Sequence, residues 1–291
     1  MTVCIAVRSQ RMLLLASDRM LTAGDIQFEP NLRKMLFLTP AIAILFSGDA
    51  DFHAEVTQNV KIEVDKIIHE KPDDWLNVKF IADLYLKYRN ELKRRRAEAD
   101  LLNPLGLSLD EFIIKQKNMH SDIVNRVVED IISYPVPDVE VIVAGIDMRF
   151  GYALPSIYVI QNGEISCSDS ISFAAIGSGA RHAESELMLA RHSYETPNAE
   201  ALLSLYIGKR AAETAPGVGA ETDIWALGAN PGDALRIDGP LLEKVDREYR
   251  RIKRKADAAR NQGRQEIDKF FEKQDETSRK TQSQSVESEK K

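Results

Sequence analysis

The second residue of the chain is a threonine, and its position suggests chemistry. A methionine followed by a small residue is normally removed in the cytosol, so the mature chain is expected to begin at Thr2. An N-terminal threonine carries a hydroxyl nucleophile. It also carries its own base, since an α-amine with a pKa of about 8 can take the hydroxyl proton at neutral pH. Many chains begin with Met-Thr, so the dipeptide alone is weak support for catalysis.

Two charged residues have the properties needed to lower the pKa of such an amine. Asp18 ends one apolar run and Lys34 stands just before another. Strand pairing could bring Asp18 back beside the start of the chain. A nearby lysine would then lower the pKa of the amine through like-charge repulsion, while Asp18 keeps that lysine ionised and oriented. An ordinary salt bridge explains the same pair without catalysis.

A third candidate is Gly48, in the segment Ser47-Gly48-Asp49, where an apolar run gives way to a helical pattern. A glycine N–H at such a junction, with a helix dipole behind it, suits a developing oxyanion. A plain turn in which Asp49 caps the helix explains the segment equally well.

Apolar runs in the first fifty residues predict the strands that would hold these groups. Residues 3–7 alternate in the manner of a strand, and residues 12–17 resemble a strand buried on both faces. Residues 34–38 and 41–46 are shorter runs that predict a hairpin. Lys34 opens the first strand of that hairpin.

Helical spacing of apolar residues begins after Asp49. It predicts helices over about 52–68 and 80–96. The second helix ends in the basic run 93–96, which is more typical of a solvated helix end than of a nucleic-acid contact.

Residues 97–137 resemble an insertion. Asn103-Pro104 breaks the pattern, and Ser108 with Glu111 forms a capping-box signature. The stretch from there to Ile132 is amphipathic, so the insertion is predicted to be helical.

The rest of the chain again has strands followed by helices. Asn162-Gly163 is typical of a hairpin turn. The order of strands, two helices, strands, two helices and strands predicts an α+β fold, a four-layer α/β/β/α sandwich of antiparallel sheets flanked by paired helices. The predicted strands are 139–146, 156–160, 171–176, 223–228 and 234–237, and the predicted helices are 180–192 and 199–212.

Composition argues against several classes of protein. No run of about 18 uncharged apolar residues appears, and the N-terminus lacks a secretory signal pattern. Cys4 and Cys167 cannot form a disulfide framework, which favours the reducing cytoplasm. The five histidines lack ligand spacing and Gly177-Ser178-Gly179 is not a phosphate loop, so neither a metal nor a cofactor is predicted.

Charge is unevenly distributed along the chain. Residues 240–291 carry 15 Lys/Arg against 11 Asp/Glu, a formal charge of +4, whereas residues 1–239 carry 24 against 34, a charge of −10. A body this acidic is a poor non-specific nucleic-acid binder, so neither nucleic acid nor a membrane is predicted as a partner.

Residues 240–291 are predicted to be a charged helical extension of a domain that spans 2–239. A thin apolar stripe at helical spacing could dock on the body or on a neighbouring subunit, and a solvated tail is the alternative. The stretch from about Thr277 is expected to be disordered. The stripe consists of Leu241, Val245, Tyr249 and Ile252.

Six short motifs occur in the order and spacing of proteasome β subunits. The chain is similar to these subunits and to the bacterial HslV-type and ancestral β-subunit peptidases over about residues 2–96 and 138–238. Each motif alone is weak, but six in register are specific. The motifs are Thr2, Asp18-Arg19, Asn31-Leu32-Arg33-Lys34, Ser47-Gly48-Asp49-Ala50-Asp51, Val143-Ala144-Gly145-Ile146-Asp147 and Ile176-Gly177-Ser178-Gly179.

This resemblance implies the N-terminal-nucleophile (Ntn) hydrolase fold and a threonine endopeptidase. It implies that Thr2 is both nucleophile and base, that Lys34 lowers the pKa of the amine, and that Asp18 orients Lys34. Gly48 would supply an N–H to the oxyanion hole. Ser178 would hydrogen-bond the amine and a water molecule, and it is also a candidate helix N-cap.

The resemblance also implies how the protein assembles. Polypeptide or peptide substrates would be cleaved inside a homo-oligomer of stacked rings, with six or seven subunits per ring and active sites that face an inner chamber. An ATPase unfoldase is a candidate partner. Maturation would need only the removal of Met1 rather than self-cleavage.

The chain departs from the family pattern in three places. Family subunits carry an Asp and, three residues later, a Ser-Gly before the strand near 223, and here those columns fall on Ala215 and Val218. The insertion at 97–137 and the extension after Pro240 have no counterpart. Two other functions therefore stay open, a catalytically silent ring or scaffold subunit and an unchambered small-amide hydrolase of the same fold.

Overall fold

A computed structural model describes residues 2–10, 12–23, 26–28, 33–72, 74–149, 152–228 and 233–288 of the protein. The chain divides into two compact units, Met1–Gly239 and Pro240–Lys291.

The strands of the first unit belong to two larger sheets and one small hairpin. In chain order they are β1 (Cys4–Arg8), β2 (Leu13–Asp18), β3 (Leu21–Ala23), β4 (Ile26–Phe28), β5 (Met35–Thr39), β6 (Ile42–Gly48), β7 (Val139–Arg149), β8 (Tyr152–Gln161), β9 (Glu164–Cys167), β10 (Phe173–Ile176), β11 (Thr222–Leu227) and β12 (Ala234–Arg236). One antiparallel sheet has the order β10-β1-β2-β11-β12, the other has the order β5-β6-β7-β8-β9, and β3 pairs with β4 alone.

The helices follow the strands in pairs, apart from those of the insertion and the last helix of the chain. They are α1 (Ala50–Glu70), α2 (Val78–Ala97), α3 (Leu109–Lys115), α4 (Ser121–Ile132), α5 (Ala180–Leu189), α6 (Asn198–Ala212) and α7 (Gly239–Ser288). A turn of π-helix at Glu98–Leu102 and 3-10 turns at Asn103–Leu105 and Gln116–Asn118 join the helices of the insertion. None of the helices in the described residues is both long and apolar enough to cross a lipid bilayer.

The two five-stranded sheets pack face to face through one apolar cluster. Cys4, Ala6 and Leu15 of the first sheet meet Leu45 and Ile142 of the second. Alternate residues of a strand point to opposite faces, and β1 is buried on both of them. Fully burying a side chain of this kind stabilises the fold by about 1.5–3 kcal/mol, so the contact between the sheets is a main source of stability.

Helices cover the outer faces of both sheets. Phe52 and Val56 of α1 and Tyr85 of α2 pack with Ile44 and Val141 of the second sheet. Helices α5 and α6 contact β1, β2 and β10 of the first sheet. The mixed α+β class with antiparallel sheets, predicted from the sequence, is therefore confirmed.

Three local structures that the sequence predicts are present. Asp49 caps α1 by accepting from the N–H of Phe52 at 2.7 Å. Asn162 and Gly163 have φ values of 53° and 81°, the left-handed pair that a tight hairpin turn requires. Ser108 and Glu111 form both halves of a capping box at the start of α3.

Other segments differ from the prediction. The amphipathic part of the insertion is two helices, α3 and α4, because the chain turns at Gln116–Asn118. Strands β3, β4 and β9 were not predicted. Each is only three or four residues long, too short for an alternating pattern to stand out.

The second unit is the helix α7, which extends to Ser288. It therefore includes residues 277–288 of the stretch that the sequence predicts to be disordered. Ion pairs between side chains three or four residues apart, such as Asp246 with Arg250 and Glu248 with Arg251, support the helical form of this highly charged segment. Docking of its apolar stripe stays a prediction.

Candidate functional site

The register of the first sheet places Thr2 beside Asp18. Cys4 of β1 pairs with Ser17 of β2, so the residues just before β1 lie next to the end of β2. The Asp18 N–H donates to the Val3 carbonyl oxygen at 3.1 Å, and the Val3 N–H donates to Oδ1 of Asp18 at 2.9 Å. The Thr2 hydroxyl donates to the same Oδ1. A fixed register therefore brings together two residues that are 16 positions apart.

Lys34 completes this group from the other sheet. It lies just before β5, where its carbonyl oxygen accepts from the Phe46 N–H of β6 at 3.3 Å. Its ammonium nitrogen lies 2.9 Å from Oδ1 of Asp18 and donates to Oγ1 of Thr2. Thr2 and Lys34 are each 3% exposed and Asp18 is fully buried. The hydroxyl of Thr2 thus lies between a buried cation and a buried anion.

Backbone N–H groups hold the second oxygen of Asp18. Met20 and Gly219 each donate to Oδ2 at 3.0 Å. Hydrogen bonds to an ionised acceptor are about twice as strong as neutral ones. The carboxylate is therefore held in one orientation, with Oδ1 left for Thr2, Val3 and Lys34.

Ser178 lies on the backbone side of Thr2. Its Oγ accepts from the Thr2 N–H at 3.3 Å and lies 3.3 Å from the Thr2 carbonyl oxygen and 3.4 Å from that of Pro216. The N-cap of α5 is Gly179 and not Ser178, so the reading of Ser178 as a cap is wrong. The chain turns tightly here, and the Ser178 side chain points at Thr2 instead of closing the helix.

Gly177 allows the backbone before Ser178 to come close to Thr2. Its φ is +90°, and a Cβ at this position would overlap the Thr2 carbonyl oxygen and lie 2.8 Å from Oγ of Ser47. Its N–H donates to Oε2 of Glu140 at 2.7 Å. Only glycine fits this conformation and this close approach of two backbone segments.

Gly48 ends β6 with a φ of +108°, and a Cβ there would overlap the Asp138 carbonyl oxygen. It shares with Thr2 and Lys34 a cleft of about 200 Å³, at the point where α1 begins. Gly48 thus borders the cleft beside Thr2, and the role of its N–H as an oxyanion donor stays a prediction. The other residues that line the cleft are Met20, Leu21, Phe46, Asp49 and Ala50.

A larger apolar pocket of about 510 Å³ shares Phe46 and Ala50 with this cleft. Its wall includes His53, whose ring stacks on Phe46 at 3.9 Å and whose Nδ1 lies 3.0 Å from the Tyr85 hydroxyl. Burial lowers the pKa of His53 to about 3, so the ring is neutral at physiological pH. The sequence singled out His53 only as one of five histidines without ligand spacing.

Ala215 and Val218, the two positions where the chain departs from the β-subunit pattern, are apolar and buried. Ala215 and Val218 contribute no polar side chain. Their loop nevertheless reaches the site through its backbone, since the Gly219 N–H binds Asp18. The sequence did not identify this contact.

A second ion pair fixes the end of β2. Arg19 makes two hydrogen bonds to the buried carboxylate of Asp223, at 2.6 and 2.9 Å. In this antiparallel pairing Thr222 is opposite Asp18 and Asp223 is opposite Ser17, so Arg19 contacts Asp223 diagonally across the two strands. The paired fork geometry is the strong form of an arginine–carboxylate contact.

Thr2, Asp18, Lys34, Gly48 and Ser178 therefore all lie at one site. Asn31 and Leu32 of the predicted motif, and Met1, lie outside the described residues. Within the described ranges, no three His, Cys, Asp or Glu side chains come together in a way that could hold a metal ion.

The chain was also compared with known proteins. No protein-family model matches it, and no curated protein matches it.

Proposed function

We propose that the protein is a threonine endopeptidase of the N-terminal-nucleophile type, with Thr2 as the nucleophile. The observation that carries the proposal is the placement of the Thr2 hydroxyl between the Lys34 ammonium and the Asp18 carboxylate, at the wall of an open cleft. Cleavage of the Met1–Thr2 bond would turn the nitrogen that contacts Ser178 into a free amine.

The chemistry follows from these contacts. The amine takes the hydroxyl proton as Oγ1 of Thr2 forms a bond to the substrate carbonyl carbon, and the carbonyl electrons move onto its oxygen. The C–N bond then breaks, and the leaving nitrogen takes the proton from the Thr2 ammonium. Water hydrolyses the resulting ester, with the amine acting as base again, and the proton returns to Oγ1.

Each neighbouring group has a part in this cycle. Lys34 favours the neutral form of the amine through like-charge repulsion, and Asp18 holds Lys34 in place. The Gly48 N–H would donate to the oxyanion, where one such donor is typically worth a hundredfold or more in rate, ~2.7–4 kcal/mol. Ser178 would hold the amine and a water molecule.

We propose the four-layer α/β/β/α sandwich of the Ntn hydrolases as the fold. The order of helix pair, sheet, sheet and helix pair supports it. We further propose that the protein acts in the cytoplasm on peptides or polypeptides, in stacked rings of six or seven subunits. A ring would protect other proteins from an active site at the end of the chain, and an ATPase unfoldase would supply unfolded substrate.

A silent ring subunit is the second candidate, and the apolar residues Ala215 and Val218 favour it. They remove two polar side chains that the family places near the nucleophile. Against it, the Gly219 N–H still reaches Asp18 at 3.0 Å, so the carboxylate keeps a donor from this loop.

An intact-mass measurement tests the proposal. The purified chain is incubated with an epoxyketone or β-lactone, electrophiles that react with an N-terminal threonine. The expected product is the chain without Met1 that carries one adduct. Thr2→Ala should give no adduct, and Cys167→Ser should label normally, which excludes reaction at the exposed thiol. A wild-type chain that takes up no electrophile and cleaves no peptide would favour the silent subunit.

A further inference from the structure

Lys209 is a fully buried lysine on α6 that lies outside the cleft. Its ammonium donates to the carbonyl oxygens of Gly219 and Ala220, each at 2.9 Å, and to Oε1 of Glu213 at 2.6 Å. An ammonium has three donors, and three acceptors surround it. A buried lysine is costly unless it is paired in this way, so its position calls for a physical reason.

The loop that Lys209 binds reaches both sides of the nucleophile. The N–H of Gly219, in this loop, donates to Oδ2 of Asp18 at 3.0 Å. Earlier in the same loop, the Pro216 carbonyl oxygen lies 3.4 Å from Oγ of Ser178. Gly219 therefore has Lys209 at its carbonyl oxygen and the carboxylate of the site at its N–H.

We propose that Lys209 is a positioning residue of the peptidase site, which acts on Asp18 through the loop at Gly219. It holds this loop through the carbonyl oxygens of Gly219 and Ala220, next to the two positions, Ala215 and Val218, that have no polar side chain. The inference rests on the proposed function. It adds that a buried cation, remote from the substrate, sets the orientation of the carboxylate that organises Thr2 and Lys34.

The charges around Lys209 support a role beyond packing. Burial lowers the pKa of Lys209, and the hydrogen bond and charge of Glu213 act in the opposite direction, as does the more distant charge of Asp18. Arg210 on the same helix disfavours the ammonium. Glu213 accepts from both Lys209 and Arg210, so one carboxylate balances two cations on α6.

The first test is the variant Lys209→Met, which keeps the length of the side chain and removes the charge and the donors. With the loop released, Asp18 loses its Gly219 donor and holds Lys34 less firmly, so Lys34 lowers the pKa of the Thr2 amine by less. We expect kcat for a short peptide to fall about tenfold. We expect KM to change little because Lys209 does not line the cleft. The acidic limb of the kcat–pH profile should move upward by about one unit.

Controls separate this effect from a loss of stability. Asp147→Ala removes a buried hydrogen bond to the Val78 N–H at the start of α2, 2.7 Å long, and should lower Tm without moving the acidic limb. Lys209→Arg keeps the charge and donors and should restore part of kcat and most of the pH profile. Glu213→Gln weakens the pairing and should shift the acidic limb in the same direction by less. It serves as the test if Lys209→Met does not fold.

Each outcome has one meaning. A wild type that hydrolyses peptide, with a Lys209→Met variant (or Glu213→Gln, if the first does not fold) whose kcat and pH profile are unchanged, overturns this inference and leaves the proposed function intact. A lower Tm with an unmoved acidic limb, as in Asp147→Ala, also overturns it. A wild type that neither hydrolyses peptide nor takes up the electrophile overturns the proposed function and this inference with it.

Discussion

The ammonium nitrogen of Lys34 lies 2.9 Å from Oδ1 of Asp18, and this carboxylate oxygen also accepts from the Val3 N–H and the Thr2 hydroxyl. A single oxygen atom thus joins a lysine just before β5 to the first residues of the chain. The two sheets pack through an apolar core. Neither Lys34 nor the first residues of the chain can therefore shift alone without disturbing the contact between Lys34 and Asp18.

Lys34→Ala is expected to reduce kcat about a hundredfold or more, because the amine of Thr2 would no longer be held as a free base. Lys34→Arg should fail as well, since a planar guanidinium cannot occupy the position of a compact ammonium in a buried site. Lys79→Ala, which removes an exposed ion pair with Asp83, is the matched control and should behave as wild type. Steady-state kinetics on a short peptide measure the effect. A normal kcat for Lys34→Arg would make Lys34 only an ion-pair partner of Asp18.

Thr2→Ala is expected to lower peptide hydrolysis by about a thousandfold or more, with fold and assembly unchanged. The loss follows from removing the hydroxyl that lies between Lys34 and Asp18. Thr2→Ser keeps a hydroxyl and should retain part of the activity. Circular dichroism and size-exclusion chromatography check that the variants are folded and assembled. Full activity in Thr2→Ala would contradict the central proposal.

Gly177→Ala is expected to displace the Thr2 carbonyl group, because a methyl group there overlaps that oxygen at a φ of +90°. We expect a loss of about 2–4 kcal/mol in the free energy of unfolding and slow labelling of Thr2 by the electrophile.

Gly106→Ala is the matched control for Gly177→Ala. Gly106 also has a positive φ, +69°, but a Cβ there would meet no atom within 4 Å. In Gly106→Ala, backbone strain alone should lower the free energy of unfolding by about 1 kcal/mol and leave the labelling rate of Thr2 unchanged. Urea titration and the labelling rate measure both variants. Equal labelling rates would show that the close approach at Gly177 does not position the nucleophile.

His53 is expected to make the fold sensitive to acid. Its pKa is near 3 in the folded state and about 6.5 when unfolded, so between these values the unfolded chain binds the additional proton. The stability that neutral His53 contributes is fully present above pH 6.5 and is lost progressively as the pH falls toward 3. His53→Gln, which cannot titrate, should therefore lose less stability than wild type between pH 7 and pH 4.5. Urea midpoints at the two pH values give the comparison. Identical pH dependence in both proteins would contradict this role.

We expect the native particle to contain twelve or fourteen subunits. Its mass can be measured by light scattering. Deletion of residues 254–291 should leave hydrolysis of short peptides unchanged. Deletion from Leu241 should loosen the assembly if the apolar stripe of α7 docks as the sequence predicts. Intact particles with normal activity at high and low salt in the longer truncation would rule out docking. Monomers with full activity would rule out the chamber.

Structure that depends on neighbouring residues could be predicted from the sequence. Asp49 caps the helix that follows it, and Asn162-Gly163 adopts the left-handed pair that its turn needs. In both cases the side chain or backbone preference acts within three residues. The periodicity of apolar residues also predicted the longer strands of the two sheets and the helix pairs that follow them, because burial of one face repeats along each element.

Contacts between distant segments were harder to predict. The Gly219 N–H that binds Asp18 is a backbone group 201 residues away, and no side-chain type marks it. Lys209 did carry a signal, because it follows Ala201 and Leu205 on the buried face of α6 and precedes Ala212. A lysine on an apolar face at helical spacing indicates a buried cation with nearby acceptors, and only the fold shows which acceptors they are.

The inner position of β1 in its sheet also limits when Met1 can be removed. β1 lies between β10 and β2 in its sheet, and Thr2 is almost completely enclosed once these strands are paired. Residues 173–176 leave the ribosome long after β1, at translation speeds on the order of 10–30 seconds later. During that interval the bond before Thr2 is open to an aminopeptidase. A chain that folds with Met1 still attached has passed this interval, so we expect the fraction of chains with a free threonine to be set during synthesis, before β10 pairs with β1.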